Sequence, residues 1–405
     1  MNNYSRRSFL TQSFAGAALG ALSAKAVFAQ NEGIAGFDQT ETDIDKNSVW
    51  TAKSDRKIRV GIVGYGACHF GAAFGFQNHP NVEIVAVSDL IPERRDGLAK
   101  ECRCSKTYDS LEELIRDDSI EAVFCATDAP SHPDHCMKVL NSGKHVASAV
   151  PAVWGDLDLA YQLYETVKKN AGLNYMMFET STFHDAVYAT RQLYKAGILG
   201  QTIYTEGEYY HYFPTPFDSF RGWRIGLPPQ WYCTHSNAYY VCATNGQSFT
   251  EVSCFGRKSH IDHLKAENNI YGNPFGTETA LLRTSEGGMA RMIVSWDTPG
   301  WGGETGRNRS ENGSYWEDFK PVSDEVAQAA AKLNLKKPAL PPGMDPGGHG
   351  GAHGYLCNEF VESILEARKP LVNISWALNM TVAGIKSHES ALKDGELLKI
   401  PQFPF

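Results

Sequence analysis

The chain has 405 residues, of which 42% are hydrophobic and 21% charged, and its formal net charge is −8 at pH 7. This composition is typical of a soluble globular protein, and the length suggests two domains, each long enough to bury a core of its own. The acidic balance disfavours nucleic acid and anionic membrane surfaces as partners.

The first thirty residues are predicted to lie outside the fold. Ser5 to Leu10 reads SRRSFL, a mildly apolar run rich in Ala and Gly follows, and Val27 to Ala29 offers small residues for cleavage. This pattern is typical of a twin-arginine export signal over residues 1–29, and it is too short and glycine-rich for a permanent membrane anchor. We therefore expect export in the folded state, to the periplasm or the cell exterior. Processing removes three basic residues and no acidic one, so the net charge falls to −11.

The stretch from Lys57 to Asp89 carries the fingerprint of a dinucleotide-binding unit. A β-branched run ends at Gly64-Tyr65-Gly66, a helix of small residues is predicted next, and a second apolar run, Val82 to Val87, leads to Asp89. The first glycine allows a tight turn, and the second lets the backbone approach a pyrophosphate at the N-terminus of the helix. A lone fingerprint is a weak signal, but two flanking strands and a terminal acid strengthen it.

The acidic end of this stretch predicts which dinucleotide binds. Asp89 is placed to accept hydrogen bonds from a ribose 2′-OH and to repel a 2′-phosphate, so NAD is expected rather than NADP. The third glycine position holds His69, with Gly71 two residues later, and looser packing of the helix against the strand is expected there.

Beyond Asp89, apolar strands alternate with helices, which predicts a parallel sheet with helices on both faces. We assign residues 56–180 to this Rossmann domain and residues 30–55, which are polar and show no sustained period, to a linker or an arm on another surface. The predicted elements are helices from Pro92 and from Ser110, strand Ala122 to Ala126, helix His132 to Asn141, strand His145 to Ala149, helix Asp156 to Asn170 and strand Leu173 to Phe178.

After this domain, strands follow one another without intervening helices, which predicts an α+β domain over residues 181–405 with a large, mostly antiparallel sheet. Pro299 to Gly354, rich in Gly, Pro and Trp, is expected to be an irregular functional loop or cover. Its C-terminal helices are expected to pack back towards the first domain. The elements are helix Asp185 to Ala196, strands Ile203 to Tyr212, Thr250 to Phe255, Glu278 to Arg283 and Met289 to Trp296, helices Leu356 to Ala367 and Trp376 to Leu392, and strand Leu397 to Ile400.

Nine cysteines are an odd number, and several lie inside apolar strands or helices. Cys102-Arg103-Cys104 cannot form the CxxC turn of a zinc or redox site. Buried thiols are therefore expected, and no disulfide framework.

Two segments, Cys125 to His132 (CATDAPSH) and Gly143 to Val146 (GKHV), resemble the glucose-fructose oxidoreductase / inositol dehydrogenase / MocA-type family. Its members read strand-Ala-Thr-Pro-x-x-x-His and then Gly-Lys-His-Val followed by Glu-Lys-Pro. The resemblance covers roughly Lys57 to the C-terminus and implies hydride transfer between NAD and a sugar, glycoside or polyol hydroxyl, with a homo-oligomer expected. The residues expected to bind NAD are Gly64, Tyr65, Gly66, Ala67, Cys68, Asp89, Arg94, Ala126, Thr127, His132 and Ala149.

Two departures from the family pattern bear on catalysis. Ala149-Val150-Pro151 replaces Glu-Lys-Pro, and of the family's Asp-x-x-x-His pair only His235 remains. Hydride transfer from an alcohol needs a group with a pKa near the working pH to take the proton, so His235 becomes the first candidate. A purely structural histidine is the alternative. Glu179, near the carboxyl ends of the first sheet, and His349 are further candidates, although a solvated carboxylate at Glu179 is equally expected.

A cluster of aromatic and polar residues that includes Tyr209 and Trp223 is suited to binding a sugar ring. Alternating tyrosines in a strand are, however, equally typical of ordinary sheet packing. His349 and His353 could in principle bind a metal with His235, but surrounding glycines argue against a helix that would fix the pair, so no metal is predicted. The residues expected to bind the substrate are Tyr209, His211, Trp223, Arg224 and His353.

One branch of the family offers a rival activity. Tyr232 to His235 (YCTH) and Gly348 to Gly351 (GHGG) are similar to segments of NAD-dependent α-N-acetylgalactosaminidases, which implies transient oxidation of a sugar, elimination, addition of water and re-reduction. Ala149 and Phe183 depart from that branch, which would have Glu and Tyr there. A hydrolase or lyase, or a non-catalytic sugar-binding protein, therefore stands as an alternative to a net oxidoreductase.

Overall fold

In the computed structural model, which describes residues 42–404, two β-sheets with their helices belong to one folded unit. The predicted export signal and the first part of the predicted arm lie outside the described residues. None of the helices within residues 42–404 is long and apolar enough to cross a membrane.

The first sheet has six parallel strands in the order β3-β2-β1-β4-β5-β6. The order reverses between β1 and β4, and open α/β sheets bind ligands at the carboxyl ends of strands at such a point. The predicted Rossmann arrangement is therefore confirmed. The strands are Ile58–Val63, Val82–Ser88, Thr107–Tyr108, Ala122–Cys125, His145–Ser148 and Tyr175–Met177, and helices α1 to α5 are Phe70–Ala73, Pro92–Glu101, Leu111–Leu114, His132–Asn141 and Leu157–Lys169.

The turn after β1 differs from the prediction in two ways. The helix that follows, α1, is a single turn, because His69 and Gly75 on either side of it adopt left-handed backbone angles (φ 51° and 78°). The expectation of looser packing is wrong. A side chain at Gly71 would collide with the carbonyl oxygen of Gly64, so Gly71 supplies the close helix-to-turn contact that the third glycine of the fingerprint usually gives.

The second sheet has eight strands in the order β13-β12-β11-β7-β10-β9-β8-β14. All its pairings are antiparallel except that of β7 with β10, which confirms the predicted mostly antiparallel sheet. Strands β7 to β14 are Thr202–Tyr210, Phe249–Lys258, Phe275–Thr284, Met289–Ser295, Gly303–Ser310, Gly313–Trp316, Asp318–Pro321 and Leu398–Lys399, and helices α6 to α11 are Asp185–Lys195, Thr234–Val241, Asp324–Ala330, Gly348–Gly351, His353–Leu365 and Ile374–Leu392.

The segment from Pro299 to Gly354 is not irregular throughout, since it contains β11, β12, β13 and α8. The inward positions of β11 are Gly306, Asn308 and Ser310, so the strand lacks the apolar alternation that marks a strand in a sequence. A side chain at Gly306 would collide with the ring of Tyr239 on α7, so β11 and α7 pack in close contact.

The described part of the predicted arm lies along the second domain. Ile44 forms a parallel bridge with Lys337, and the Thr42 hydroxyl donates a hydrogen bond to Asp185 at the start of α6. The indole of Trp50 donates a hydrogen bond to Glu362 on α10. Residues 42–50 are thus attached to Lys337, α6 and α10 of the second domain.

Candidate functional site

A groove of about 490 Å³ lies at the carboxyl ends of β1, β2 and β4. Its volume falls within the usual range of cofactor pockets. Loop residues 218–224 of the second domain form part of its wall, so the groove lies between the two sheets. The predicted NAD-binding residues that line it are Gly64, Tyr65, Gly66, Ala67, Cys68, Asp89, Arg94, Ala126 and Thr127.

The shape and polarity of this groove fit a dinucleotide. A side chain at Gly66 would meet no protein atom and would project into open space, so glycine leaves room for a pyrophosphate against the backbone. The Asp89 carboxylate accepts hydrogen bonds from the backbone N–H groups of Tyr65 (2.7 Å) and Ile91 (2.8 Å), which hold it at the end of β2. The site predicted for NAD is therefore preformed.

Two residues predicted to bind the cofactor lie elsewhere. His132 is buried, and its ring nitrogens lie 2.8 Å and 3.1 Å from the carbonyl oxygens of Pro151 and Thr127, so it orders the turn behind the groove. Ala149 lines a second, smaller cavity instead. Thr127 and His132 keep the spacing of the family motif, but Thr127 lines the groove whereas the His132 ring is buried in the protein interior.

The second cavity measures about 20 Å³ and shares Cys68, Phe70 and Arg224 with the groove. Its wall contains the predicted residues Tyr209, His211, Arg224, His235 and His349. Two predicted substrate residues are not in this wall. Trp223 lines the groove, and His353 lies behind His349, where its Nδ1 is 3.2 Å from the carbonyl oxygen of Ala73.

His235 lies between two buried carboxylates. It is the second residue of α7 rather than part of a polar loop, and its Nδ1 is 2.9 Å from Glu179 Oε1 and 3.5 Å from Glu304 Oε1. Glu179 is completely buried and lines neither cavity, so it contacts the histidine and not the cavity. Glu179 therefore orients His235.

The carboxylates of Glu179 and Glu304 determine the protonation state of His235. Burial opposes its cationic form, but attraction to Glu179 and Glu304 outweighs burial and raises the pKa to about 9. Burial also opposes the charge of Glu179, yet its pairing with the histidine lowers the pKa of that carboxyl. At neutral pH His235 is therefore an imidazolium. Its Nε2, which makes no hydrogen bond to residues 42–404, is its remaining proton donor.

Of the other titratable groups in the wall of this cavity, only Arg224 is charged at neutral pH. Burial, and then electrostatic repulsion by His353 and His235, hold the pKa of His349 well below its usual range. The His349 ring is stacked 6.2 Å from that of His235. Burial and then Arg224 lower the pKa of His211 to about 3. His235 and Arg224 are thus the two cations in the wall of the cavity.

Sequence reasoning missed Glu304 and its neighbours. The Ser181 hydroxyl donates a hydrogen bond to Glu304 Oε2, and His184 Nε2 lies 3.3 Å from the same oxygen. Glu304 reaches the site because β11 pairs with β7, which places it opposite Tyr209. No local motif marks this carboxylate, so the pairing of the two strands is the only signal that locates it.

The same three residues could hold a metal ion. One ligand atom each from Glu179, His235 and Glu304 lies within 4.8 Å of the others. The Nδ1 proton of His235 is already hydrogen-bonded to Glu179, and Glu304 lies within ion-pair distance of it, so a metal would compete with that proton. The set considered from the sequence is different, since His349 Nδ1 lies 2.9 Å from His353 Nε2 and faces that ring instead. The absence of a metal stays a prediction.

Comparison with known proteins defines the class of the first domain. Residues 58–177 match the sequence model of the Gfo/Idh/MocA family, described as an oxidoreductase family with an NAD-binding Rossmann fold. Over these residues the resemblance noted from the sequence is confirmed, and NAD is the cofactor of the fold.

Curated relatives match only part of the chain. Glycosyl hydrolase family 109 protein 1 of Bacteroides fragilis is 31% identical over 163 residues, which are 38% of this chain and 35% of that protein. The 2,7-anhydro-N-acetylneuraminate hydratase of Escherichia coli is 31% identical over 151 residues, 36% of this chain and 38% of that protein. The chain spans about a third of the length of the curated relatives it matches.

Solved structures share the whole architecture. Apo scyllo-inositol dehydrogenase from Lactobacillus casei aligns with a TM-score of 0.64 at 18% identity, over 85% of this chain and 99% of that chain. Levoglucosan dehydrogenase in complex with NADH and levoglucosan aligns with a TM-score of 0.66 at 17% identity, over 86% of this chain and 100% of that chain. At such identities these likenesses establish the fold.

Proposed function

We propose that the protein is an NAD-dependent oxidoreductase that acts on a hydroxyl group of a sugar, glycoside or polyol. The observation that carries this proposal is the position of His235, which is held by two buried carboxylates in the wall of a cavity adjoining the NAD groove. A titratable group beside the cofactor groove is the arrangement that alcohol oxidation and ketone reduction require.

The chemistry of the site follows from the charge of His235. Bound NAD supplies the hydride acceptor, or NADH the donor. In the direction of ketone reduction, Nε2 of His235 donates a proton to the substrate oxygen as the C–H bond forms. In the direction of oxidation, His235 accepts the hydroxyl proton after losing its own, while Glu179 holds Nδ1. Val150, at the family's lysine position, lies in the cavity wall and cannot exchange a proton.

A redox-neutral reaction is the second candidate. The relatives named glycosyl hydrolase family 109 favour it, as does a second imidazole, that of His349, in the wall of the same cavity. Transient oxidation of a sugar hydroxyl, elimination of the aglycone, addition of water and re-reduction would regenerate NAD in every turnover. Such a cycle needs more than one acid or base near the ring.

A screen with added NAD separates these functions. Sugars, polyols and aryl glycosides in excess over the enzyme should yield NADH in proportion to substrate if the protein is a net oxidoreductase. Release of aglycone without accumulation of NADH would establish the redox-neutral cycle. Sugar binding with neither product would contradict both and leave a sugar-binding protein.

The same screen tests the role of the carboxylates. Treatment with a chelator should leave the rate unchanged if Glu179, His235 and Glu304 share a proton. Loss of the rate on chelation, and its recovery with added Mn²⁺ or Zn²⁺, would show that these residues bind a metal.

A further inference from the structure

Arg224 is a cation without an acidic partner. No Asp or Glu within residues 42–404 lies within ion-pair distance of its guanidinium, whose polar contacts are the Tyr232 hydroxyl and the sulfur of Cys68, 3.9 Å away. By contrast, Arg291 and Arg307 on the second sheet both bind Glu206. A guanidinium removed from bulk water costs free energy unless it gains a partner, so its place in a cavity wall indicates that a ligand supplies one.

The surroundings of Arg224 hold it in place without neutralising it. The guanidinium carbon lies 4.2 Å from the ring centre of Trp223 and 5.2 Å from that of Phe217. Its polar neighbours are the Cys68 thiol and the Tyr232 hydroxyl, and burial raises the pKa of each, so both are neutral at pH 7. Aromatic rings fix the plane of a guanidinium and leave its donors free to bind a carboxylate with two hydrogen bonds.

The small cavity has one cation in its wall that no carboxylate offsets. Arg224 and His235 are in its wall, and none of its lining residues is an Asp or a Glu. The two nearby carboxylates, Glu179 and Glu304, are engaged by His235 rather than by Arg224. These carboxylates offset the charge of His235 and leave Arg224 as the cation without a counter-charge. A neutral sugar requires only hydrogen bonds from such a site, whereas a cation without a counter-charge favours a negatively charged ligand.

We propose that the substrate is an acidic carbohydrate whose carboxylate binds Arg224 while one of its hydroxyl groups faces His235. This inference rests on the proposed function and narrows its substrate class. Because Arg224 lines the groove as well, the diphosphate of NAD is the other anion within its reach. The substrate carboxylate is favoured because Arg224 shares the small cavity with His235, whereas the groove has a further arginine, Arg221, which does not line that cavity.

The test compares matched acidic and neutral sugars on the NAD-loaded protein. D-glucuronate, D-galacturonate and N-acetylneuraminate are assayed beside D-glucose and D-galactose, by NADH formation and by calorimetric titration. We expect at least one acid to bind or react with a KM or Kd about tenfold or more below that of the neutral sugars. Equal or better use of neutral sugars, or no binding of any acid, would overturn the inference.

Variants identify which anion Arg224 binds. Arg224→Gln should raise the KM or Kd for the acidic sugar by about tenfold to a hundredfold, the effect of losing hydrogen bonds to a charged group, and leave the Kd for NAD unchanged. Arg224→Lys should recover only part of the affinity, because it keeps the charge and loses the paired donors. Arg283→Gln, at an exposed arginine of β9 that lines neither cavity, is the control.

The outcomes distinguish this inference from the proposed function. Weaker NAD binding by Arg224→Gln, with unchanged affinity for the acid, would assign Arg224 to the diphosphate and overturn the inference. Oxidation of neutral sugars alone would uphold the oxidoreductase and reject the acidic substrate. Arg224-dependent binding of an acid without any NADH or cleavage product would uphold the carboxylate site and reject the enzyme.

Discussion

His235 combines two properties that burial alone would not give it, a positive charge at neutral pH and a place in a cavity wall. Burial by itself lowers the pKa of a histidine, as it does for His349 and His211 in the same wall. Of these three histidines, only His235 has carboxylates at its Nδ1. The residue is therefore an acid in the resting protein, and it becomes a base only after a proton leaves.

The pH dependence of the two directions should differ accordingly. Ketone reduction should be constant below a pH of about 9 and fall above it, whereas alcohol oxidation should rise towards that pH, because the pKa of His235 is about 9. Glu179→Gln should move both midpoints to lower pH, since it removes the stronger of the two attractions. Steady-state rates across pH 5 to 10 provide the measurement. Unchanged midpoints in this variant would show that Glu179 does not raise the pKa of His235.

Stability should follow the same titration. A histidine whose pKa is raised in the folded state stabilises the fold fully below its unfolded value and loses that contribution as the pH rises through the folded value. For His235 this window runs from about 6.5 to about 9. Glu179, whose pKa is lowered, contributes in the opposite sense and loses its contribution in acid.

Removal of the imidazole is the direct test of its role. His235→Ala should lower turnover by about a hundredfold or more, leave NAD affinity nearly unchanged and abolish the pH dependence near 9. His260→Ala, at an exposed histidine remote from both cavities, is the matched control. Near-normal turnover of His235→Ala would make the residue structural and leave His349 as the better candidate.

Asp89 should set the choice of dinucleotide. The protein should bind NAD in clear preference to NADP, and Asp89→Ala should narrow that gap, because the carboxylate would repel a 2′-phosphate at the end of β2. Asp89→Asn, which keeps an acceptor for the Tyr65 N–H, separates charge from the shape of the turn. Calorimetry of both dinucleotides measures the difference. Tight NADP binding by the unmodified protein would reject this role.

At the scale of elements, β11 and α7 depend on each other. They carry Glu304 and His235 respectively, and only a glycine at position 306 allows them to approach closely. The contact between Glu304 and His235 is therefore set by the packing of β11 against α7, a helix that lies some seventy residues earlier in the chain.

A methyl group at this contact should disturb both stability and rate. Gly306→Ala should lower the free energy of unfolding by about 1–3 kcal/mol, because the added carbon overlaps the Tyr239 ring, and it should lower turnover as α7 shifts. Gly172→Ala, where an added carbon meets no neighbour, should change neither. Chemical denaturation with activity assays measures both quantities. Equal effects of the two substitutions would show that β11 and α7 are not closely coupled.

The sequence predicted the elements whose buried positions are apolar. β1, β2 and β4 stand out as β-branched runs, and the fingerprint located the groove between them. β11 did not stand out, because Gly306, Asn308 and Ser310 fill its inward positions. His235 could be proposed from its motif, and Glu179 from its place at the end of a strand. Glu304 could not be proposed, since only the register of β11 with β7 brings it near His235.

At the scale of the whole molecule, the predicted twin-arginine signal would connect folding with location. Export by this route carries a folded protein, so NAD would be bound before export. Arg6→Lys combined with Arg7→Lys should leave the protein in the cytoplasm, and cell fractionation measures this. Substitution of Lys25, the third basic residue of the same segment, provides the control. Unchanged export of the double variant would contradict the assignment of the signal.

The small volume beside His235 has a kinetic consequence. At about 20 Å³ it accommodates little more than one water molecule, far less than a sugar ring. We therefore expect a substrate to bind a wider conformation of this cavity, reached by movement of residues 217–224, which carry Phe217 and Arg224 of its wall. The observed affinity then equals the intrinsic affinity multiplied by the population of that conformation, so a substitution that loosens this loop should tighten apparent binding without adding a contact.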